Sequence, residues 1–307
     1  MIMEYFFKET VGTKKTPNGV FWEQGYFYLN DQKRIATVTD VKFISKNKLI
    51  VAHRAAAKLY LIEVKDNMCN VLHSLILDTG DSDLHRRYYH PDTIYLHNNT
   101  IYMTDFTHKC CVVDVANNRM ALNRIFDINP SGHYHGCHVD NNNVMFGEME
   151  AGKITLYDIT TKKITNLYTN INKGVKAIST HGRHVMLGVD KSLDPTCTIG
   201  ARANSWFYLY ELDNNKLVFL DSLKFPNSQV DGSKYYKNHY FFSLQDGNTK
   251  YGSIVILTIV DDKIKIIKKV KCKDFPHGFD IYDDQFIYSA YSDSSINSLP
   301  LSDIINI

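Results

Sequence analysis

His135 and His277 each precede a glycine at the head of the same short motif, and His90 heads a looser copy of it. Neutral imidazole is the commonest protein ligand for zinc and also suits iron, copper and nickel. Three histidines at equivalent places in a repeat therefore predict a divalent metal ion, zinc or another transition metal, with positions left open for water or substrate. Water on such an ion is acidified toward neutrality, and a nearby carboxylate can take its proton. Glu148 and Glu150 are the carboxylates read for that step, with Arg54 as a third catalytic group. Arg54 and Arg87 suit a small anionic substrate held bidentately, and His53 and His108 join Arg87 as substrate-binding side chains. The competing reading is that these histidines only hydrogen-bond backbone and solvent on a polar rim.

The elements that must position them emerge from the same repeat. The segments His135 to Phe146 and His277 to Tyr288 align without a gap: His-Gly, a short strand, a polar turn, a second apolar strand. Looser copies begin at Asp40, His90, Val175 and Val230, so that starts fall 40 to 55 residues apart. A third alternating strand follows in most copies (Lys58 to Asp66, Lys109 to Asn117, Lys153 to Asp158, Trp206 to Asp213), then a fourth, as in Lys163 to Tyr168 or Lys216 to Leu223. Asn117-Asn118, Asp213-Asn214-Asn215 and Asp283-Asp284 supply residues that tolerate the left-handed backbone of tight hairpins. No sustained 3.6-residue apolar period competes, so helix is minor.

A four-strand unit recurring at about 40 to 50 residues is the signature of a propeller blade. The expectation is an all-β fold: one β-propeller domain over residues 1–307, of six blades of four antiparallel strands. The last copy has three strands before the chain stops, so the N-terminal strand Tyr5 to Val11 is expected to complete it and close the ring. Residues Gly19 to Ile35 either extend that closure or begin a seventh, incomplete unit. In a propeller, starts of first strands and turns from second to third strands share one face. That map gathers His90, His135 and His277 with His53, Arg54, Asp105, His108, Glu148, Glu150, Asp190, Gln245 and Asp293. His138 aligns with Asp280 and faces differently from His135 in an alternating strand.

The string from Pro276 to Ile296, Pro-His-Gly-Phe-Asp-Ile-Tyr-Asp-Asp-Gln-Phe-Ile-Tyr and onward, resembles an NHL-type propeller repeat, with the His135 copy second. The resemblance implies the six-bladed class, which includes lyases, lactonases and scaffolds. NHL-type peptidyl-amide lyases use channel histidines for zinc. Gluconolactonases of the senescence-marker type instead bind their ion through carboxylate and amide oxygen, and Glu23 lacks the Glu-Gly-Pro context of that family.

Composition narrows the class further. The chain is 44% hydrophobic and 22% charged, as a folded globular protein is, and its net charge of +2 is spread among interspersed acids and bases. Such a balance predicts no nucleic-acid partner and no membrane surface, and Lys268-Lys269 and Arg86-Arg87 read as solvated positions. Six cysteines without a Cys-x-x-Cys pair, and a start carrying Glu4, Lys8 and Glu9, predict a reduced, cytoplasmic setting. Phosphate-binding glycine loops, His-Glu-x-x-His and Gly-x-Ser-x-Gly are absent. The leading expectation is a metal-dependent lyase, hydrolase or isomerase acting on a small molecule. The alternative is a non-catalytic scaffold for a protein partner, with Asp190 to Ser205 as a lid or docking loop.

Overall fold

The structure is a computed structural model that describes residues 38–54, 56–65, 68–81, 87–105, 107–172, 174–192, 203–246, 251–272, 274–291 and 295–305, with the backbone of four earlier strands. The strands are β1 (Met3–Phe6), β2 (Phe21–Glu23), β3 (Tyr26–Leu29) and β4 (Gln32–Ile35), then β5 (Val38–Ser45), β6 (Lys48–His53), β7 (Lys58–Lys65) and β8 (Met68–Ile76). Next come β9 (Thr93–His97), β10 (Thr100–Thr104), β11 (Lys109–Ala116), β12 (Arg119–Asp127), β13 (Tyr134–Asp140), β14 (Asn143–Glu148), β15 (Lys153–Asp158) and β16 (Ile164–Tyr168). The series ends with β17 (Val175–His181), β18 (His184–Ser192), β19 (Ala203–Asp213), β20 (Lys216–Phe225), β21 (Ser228–Tyr236), β22 (His239–Asp246), β23 (Gly252–Val260), β24 (Lys263–Cys272), β25 (Pro276–Tyr282), β26 (Gln285–Ala290) and β27 (Ser295–Pro300). The helix among the described residues is the single turn α1 (Leu301–Ile304).

These strands form six four-stranded antiparallel sheets and one of three strands. Five are sequential meanders, and the sixth has the order β1-β27-β26-β25, so a strand from the start of the chain completes the last copy. The strand placed at Tyr5 to Val11 is observed at Met3–Phe6, and residues 7–20 lie outside the described set. Strands β2, β3 and β4 make their own sheet, which agrees with an incomplete extra unit and not with an extension of the closing sheet. The predicted loop at Asp190 to Ser205 is partly strand, because β18 and β19 stay paired out to Ser192 and Ala203; residues 193–202 lie outside the described set.

The chain groups into two compact units: Met1–Asp105 with Cys110–Phe126 and Asp280–Ile304, and Phe106–Lys109 with Asp127–Phe279 and Ile305–Ile307. In each, inner strands are buried on both faces because successive side chains point opposite ways. In the first unit, Leu49 and Val51 of β6 join a cluster with Tyr60 and Ile287, whereas Ile50 and Ala52 join another with Leu59 and Met103. In the second, Val185, Leu187 and Val189 of β18 pack with Tyr208, whereas Met186 packs with Phe207 and Phe242. Inner strands therefore read as near-continuous apolar runs. Asn117, Asn118, Asn214, Asn215 and Asp283 all have positive φ, between 47° and 61°, in the hairpins read from sequence.

Adjacent sheets within each unit are tied by buried side chains. Asp40 accepts the backbone N–H of Ile94, Asp280 accepts that of Phe43, and Asp190 accepts that of Val230. His138, at the place equivalent to Asp280, has Nε2 2.9 Å from Thr180 Oγ1. Burial holds the His138 imidazole down to about 3, and Lys234 adds to the effect. Burial likewise lowers His53 to about 4, and His53 Nδ1 accepts the backbone N–H of Ala56.

An unfolded histidine takes up its proton near pH 6.5, while these two stay neutral in the fold, so their stabilisation is complete above that pH. It is lost as pH falls toward about 4 for His53 and about 3 for His138, at about 1.4 kcal/mol per pH unit for each ring. Urea unfolding between pH 7 and 5 should show His138→Gln losing stability less steeply than the wild type by about that amount. Equal slopes in the two proteins would contradict this origin.

Candidate metal and acid-base centre

Three first strands of the second unit carry an irregularity near their start. The ladder shifts register between Tyr134 and Cys137 in β13, between Val175 and Ala177 in β17, and between Val230 and Ser233 in β21. The bulged residues are His135-Gly136, Lys176 and Asp231-Gly232. A bulge re-aims a side chain that regular pleating would send elsewhere. His277 occupies the second position of β25, as His135 does in β13.

These side chains meet. His135 Nε2 lies 3.3 Å from Asp231 Oδ1, His277 Nε2 lies 3.8 Å from the same oxygen, and Lys176 Nζ is 3.4 Å from it. Lys176 Nζ is also 3.1 Å from Asp190 Oδ2. The two imidazole rings sit 5.8 Å apart between centroids, with ligand nitrogens within 4.8 Å of each other. The five side chains are between 0% and 11% exposed.

Backbone and carboxylate contacts set the orientation. His135 Nδ1 is 3.0 Å from the carbonyl oxygen of Lys176, so Nδ1 carries a proton and Nε2 is the ring atom that faces Asp231. Asp190 Oδ1 accepts the Ser205 hydroxyl at 3.0 Å and the Val230 N–H at 2.9 Å. Asp231 Oδ2 is buried with no hydrogen-bond partner among the described residues. Burial pushes both carboxyls up. For Asp190 burial wins over the Lys176 ammonium and the Asp231 charge adds to it; for Asp231, Lys176 and the imidazoles of His277 and His135 outweigh burial and hold it below the usual carboxylate range.

The other candidate side chains have partners of their own. In the first unit, His90 Nδ1 is 2.9 Å from the carbonyl oxygen of Arg54, and burial lowers its pKa. Arg54 Nη1 pairs with buried Asp92 at 3.0 Å, Arg87 forks onto Asp78, and His53 packs edge-on to Tyr60. In the second unit, Glu148 is buried against Lys153 at 2.8 Å, Glu150 pairs with His133 at 2.7 Å on the surface, and His108 pairs with Asp127 at 3.3 Å. Of the three predicted metal ligands, the structure brings together His135 and His277. Sequence reading passed over Lys176 and Asp231, although each follows the start of a looser repeat copy, at Val175 and Val230. Their register against His135 and His277 was the available signal.

Among solved structures, the chain is similar to the WD40 β-propeller domain of Doa1, with 12% identity over 87% of this chain and 94% of that one and a TM-score of 0.57. A protein from Lactobacillus plantarum matches with 12% identity over 92% and 89% of the two chains and a TM-score of 0.56, and the WD40 repeats of RRP9 match with 8% identity over 86% and 94% and a TM-score of 0.53. No family model and no curated protein matches. The fold is a β-propeller. Its blades are the six four-stranded sheets, and the centre stands near the starts of β13, β17, β21 and β25. No helix among the described residues is long and apolar enough to cross a membrane.

Glycine is required beside the centre. A Cβ on Gly136 would lie 2.4 Å from the Lys176 carbonyl oxygen, the atom that orients His135. Gly136→Ala should therefore cost about 1–3 kcal/mol or more, as overpacking against rigid structure does, measured by urea denaturation. A neutral result would mean that the two first strands do not approach this closely.

Proposed function

We propose that this propeller is a metal-dependent small-molecule enzyme, a lyase, hydrolase or isomerase, whose divalent ion is held by His135, His277 and Asp231. The observation that carries the reading is the convergence of two imidazole nitrogens on one buried carboxylate oxygen, at 3.3 and 3.8 Å. With Nδ1 of His135 donating to the Lys176 carbonyl, Nε2 is the ring atom left to act as a ligand, and it faces the Asp231 carboxylate. Ligand bonds of about 2.0–2.1 Å on one ion put neighbouring ligand atoms at separations of this order. Two imidazoles and one carboxylate with open positions form a ligand set used by non-haem iron and also suited to zinc.

Such an ion supplies an acidified water and a Lewis-acid site for a small, anionic substrate. The NHL-type resemblance of Pro276 to Ile296 supports the same reading, since lyases of that type employ channel histidines. Free thiols at Cys69, Cys110, Cys111, Cys137 and Cys272 suit a cytoplasmic enzyme. A second reading, a scaffold for a protein partner, is favoured by one observation: outer blade strands carry exposed apolar side chains, among them Ile76, Tyr168, Phe219 and Ile266.

Calorimetric titration with zinc, manganese and ferrous ions should show one equivalent bound by the wild type. His277→Gln and Asp231→Asn should weaken binding by more than the about 10–100-fold that loss of an outer hydrogen-bond partner costs. Affinity should also fall on acidification, because both imidazoles must be neutral to bind. Absence of stoichiometric binding at neutral pH would remove the metal reading and leave the scaffold.

A further inference from the structure

Lys176 plays two parts at this centre. Its backbone carbonyl oxygen receives the Nδ1 proton of His135, while its side chain reaches the carboxylate that His135 and His277 face. The ammonium lies between two buried acids, 3.1 Å from Asp190 Oδ2 and 3.4 Å from Asp231 Oδ1. Both distances exceed the about 2.7–2.9 Å of a tight charge-assisted hydrogen bond, and the shorter is to Asp190. Asp190 is fixed from its other oxygen by Ser205 and Val230, which leaves Oδ2 to the ammonium. A lysine head is a compact charge on a flexible stem and can move between two such acceptors without backbone change.

We infer that Lys176 is a tethered cation that competes with a divalent ion for Asp231, and that Asp190 is the acceptor to which its ammonium withdraws when the ion binds. This rests on the metal reading above and adds to it a control of affinity. Without an ion, the ammonium compensates Asp231. With one, the ion repels the ammonium from that carboxylate oxygen, and Asp190 takes it. Asp190 therefore favours ion binding without being a ligand, and Lys176 opposes it while its carbonyl orients a ligand.

The test is calorimetric titration with zinc and with manganese at one fixed neutral pH, on wild type, Asp190→Asn, and Lys176→Met combined with Asp190→Asn, with circular dichroism to confirm folding. Lys176→Met alone would leave two buried carboxylates uncompensated, so the double variant carries that arm. The double variant should bind at least tenfold more tightly than the wild type, and Asp190→Asn alone at least tenfold more weakly. A purely structural ion pair predicts no gain in the double variant. Equal or weaker binding by the double variant, or unchanged binding by Asp190→Asn, overturns the competition while leaving the metal reading intact. No binding by any of the three proteins overturns both.

Discussion

Close backbone approach between neighbouring first strands is the constraint on which the centre depends. A Cβ on Gly136 would stand 2.4 Å from the Lys176 carbonyl oxygen, and one on Gly232 would stand 2.8 Å from the His277 carbonyl oxygen. At both places the residue preceding the glycine, His135 or Asp231, carries a side chain of the centre. Absence of a side chain at one position lets the next strand come near enough for its functional group to arrive. The hydroxyl of Ser243 reinforces the second approach, accepting from Gly232 N–H at 2.7 Å and donating to the His277 carbonyl at 2.7 Å. The bulges are thus what brings these ionisable side chains to one place.

Burying two carboxylates, an ammonium and two imidazoles opposes folding, since each ion loses several kcal/mol of hydration that only good geometry restores. The structure restores part of it through Val230 N–H and Ser205 on Asp190 and through Lys176 between the acids. Elsewhere in the same unit, carboxylates have ordinary surface partners, such as Glu150 with His133 and Asp127 with His108. A cluster of buried ionisable groups at strand starts is where function is expected, because an apolar core of equal volume would serve stability at least as well. Asp40 and Asp280, also buried, show the structural use of a carboxylate: each accepts a backbone N–H from the adjacent sheet.

Much of the architecture was legible in the residues. The succession of strands, hairpin turns at Asn117-Asn118 and Asn214-Asn215, and the joining of the first strand to the last copy all follow from local preference and from the need to pair an edge. His135 and His277 were legible because His-Gly repeats as a visible pair. Lys176 and Asp231 were not, since a lysine or aspartate next to a strand reads by composition as a solvated position. Arg87, His108 and Glu150 drew attention by residue type, yet each is paired with an acid or base close by on the surface.

What the sequence determined by itself is therefore local: which stretches form strands, which positions turn, and which residues head each copy. Those properties depend on two-residue alternation and backbone φ, which act over a few neighbours. Tertiary structure alone decided that residues 41 and 55 positions apart, Lys176 with His135 and with Asp231, share one site. The deciding distances are set by packing of one sheet on the next and by the missing Cβ atoms between them, and no local pattern encodes that spacing.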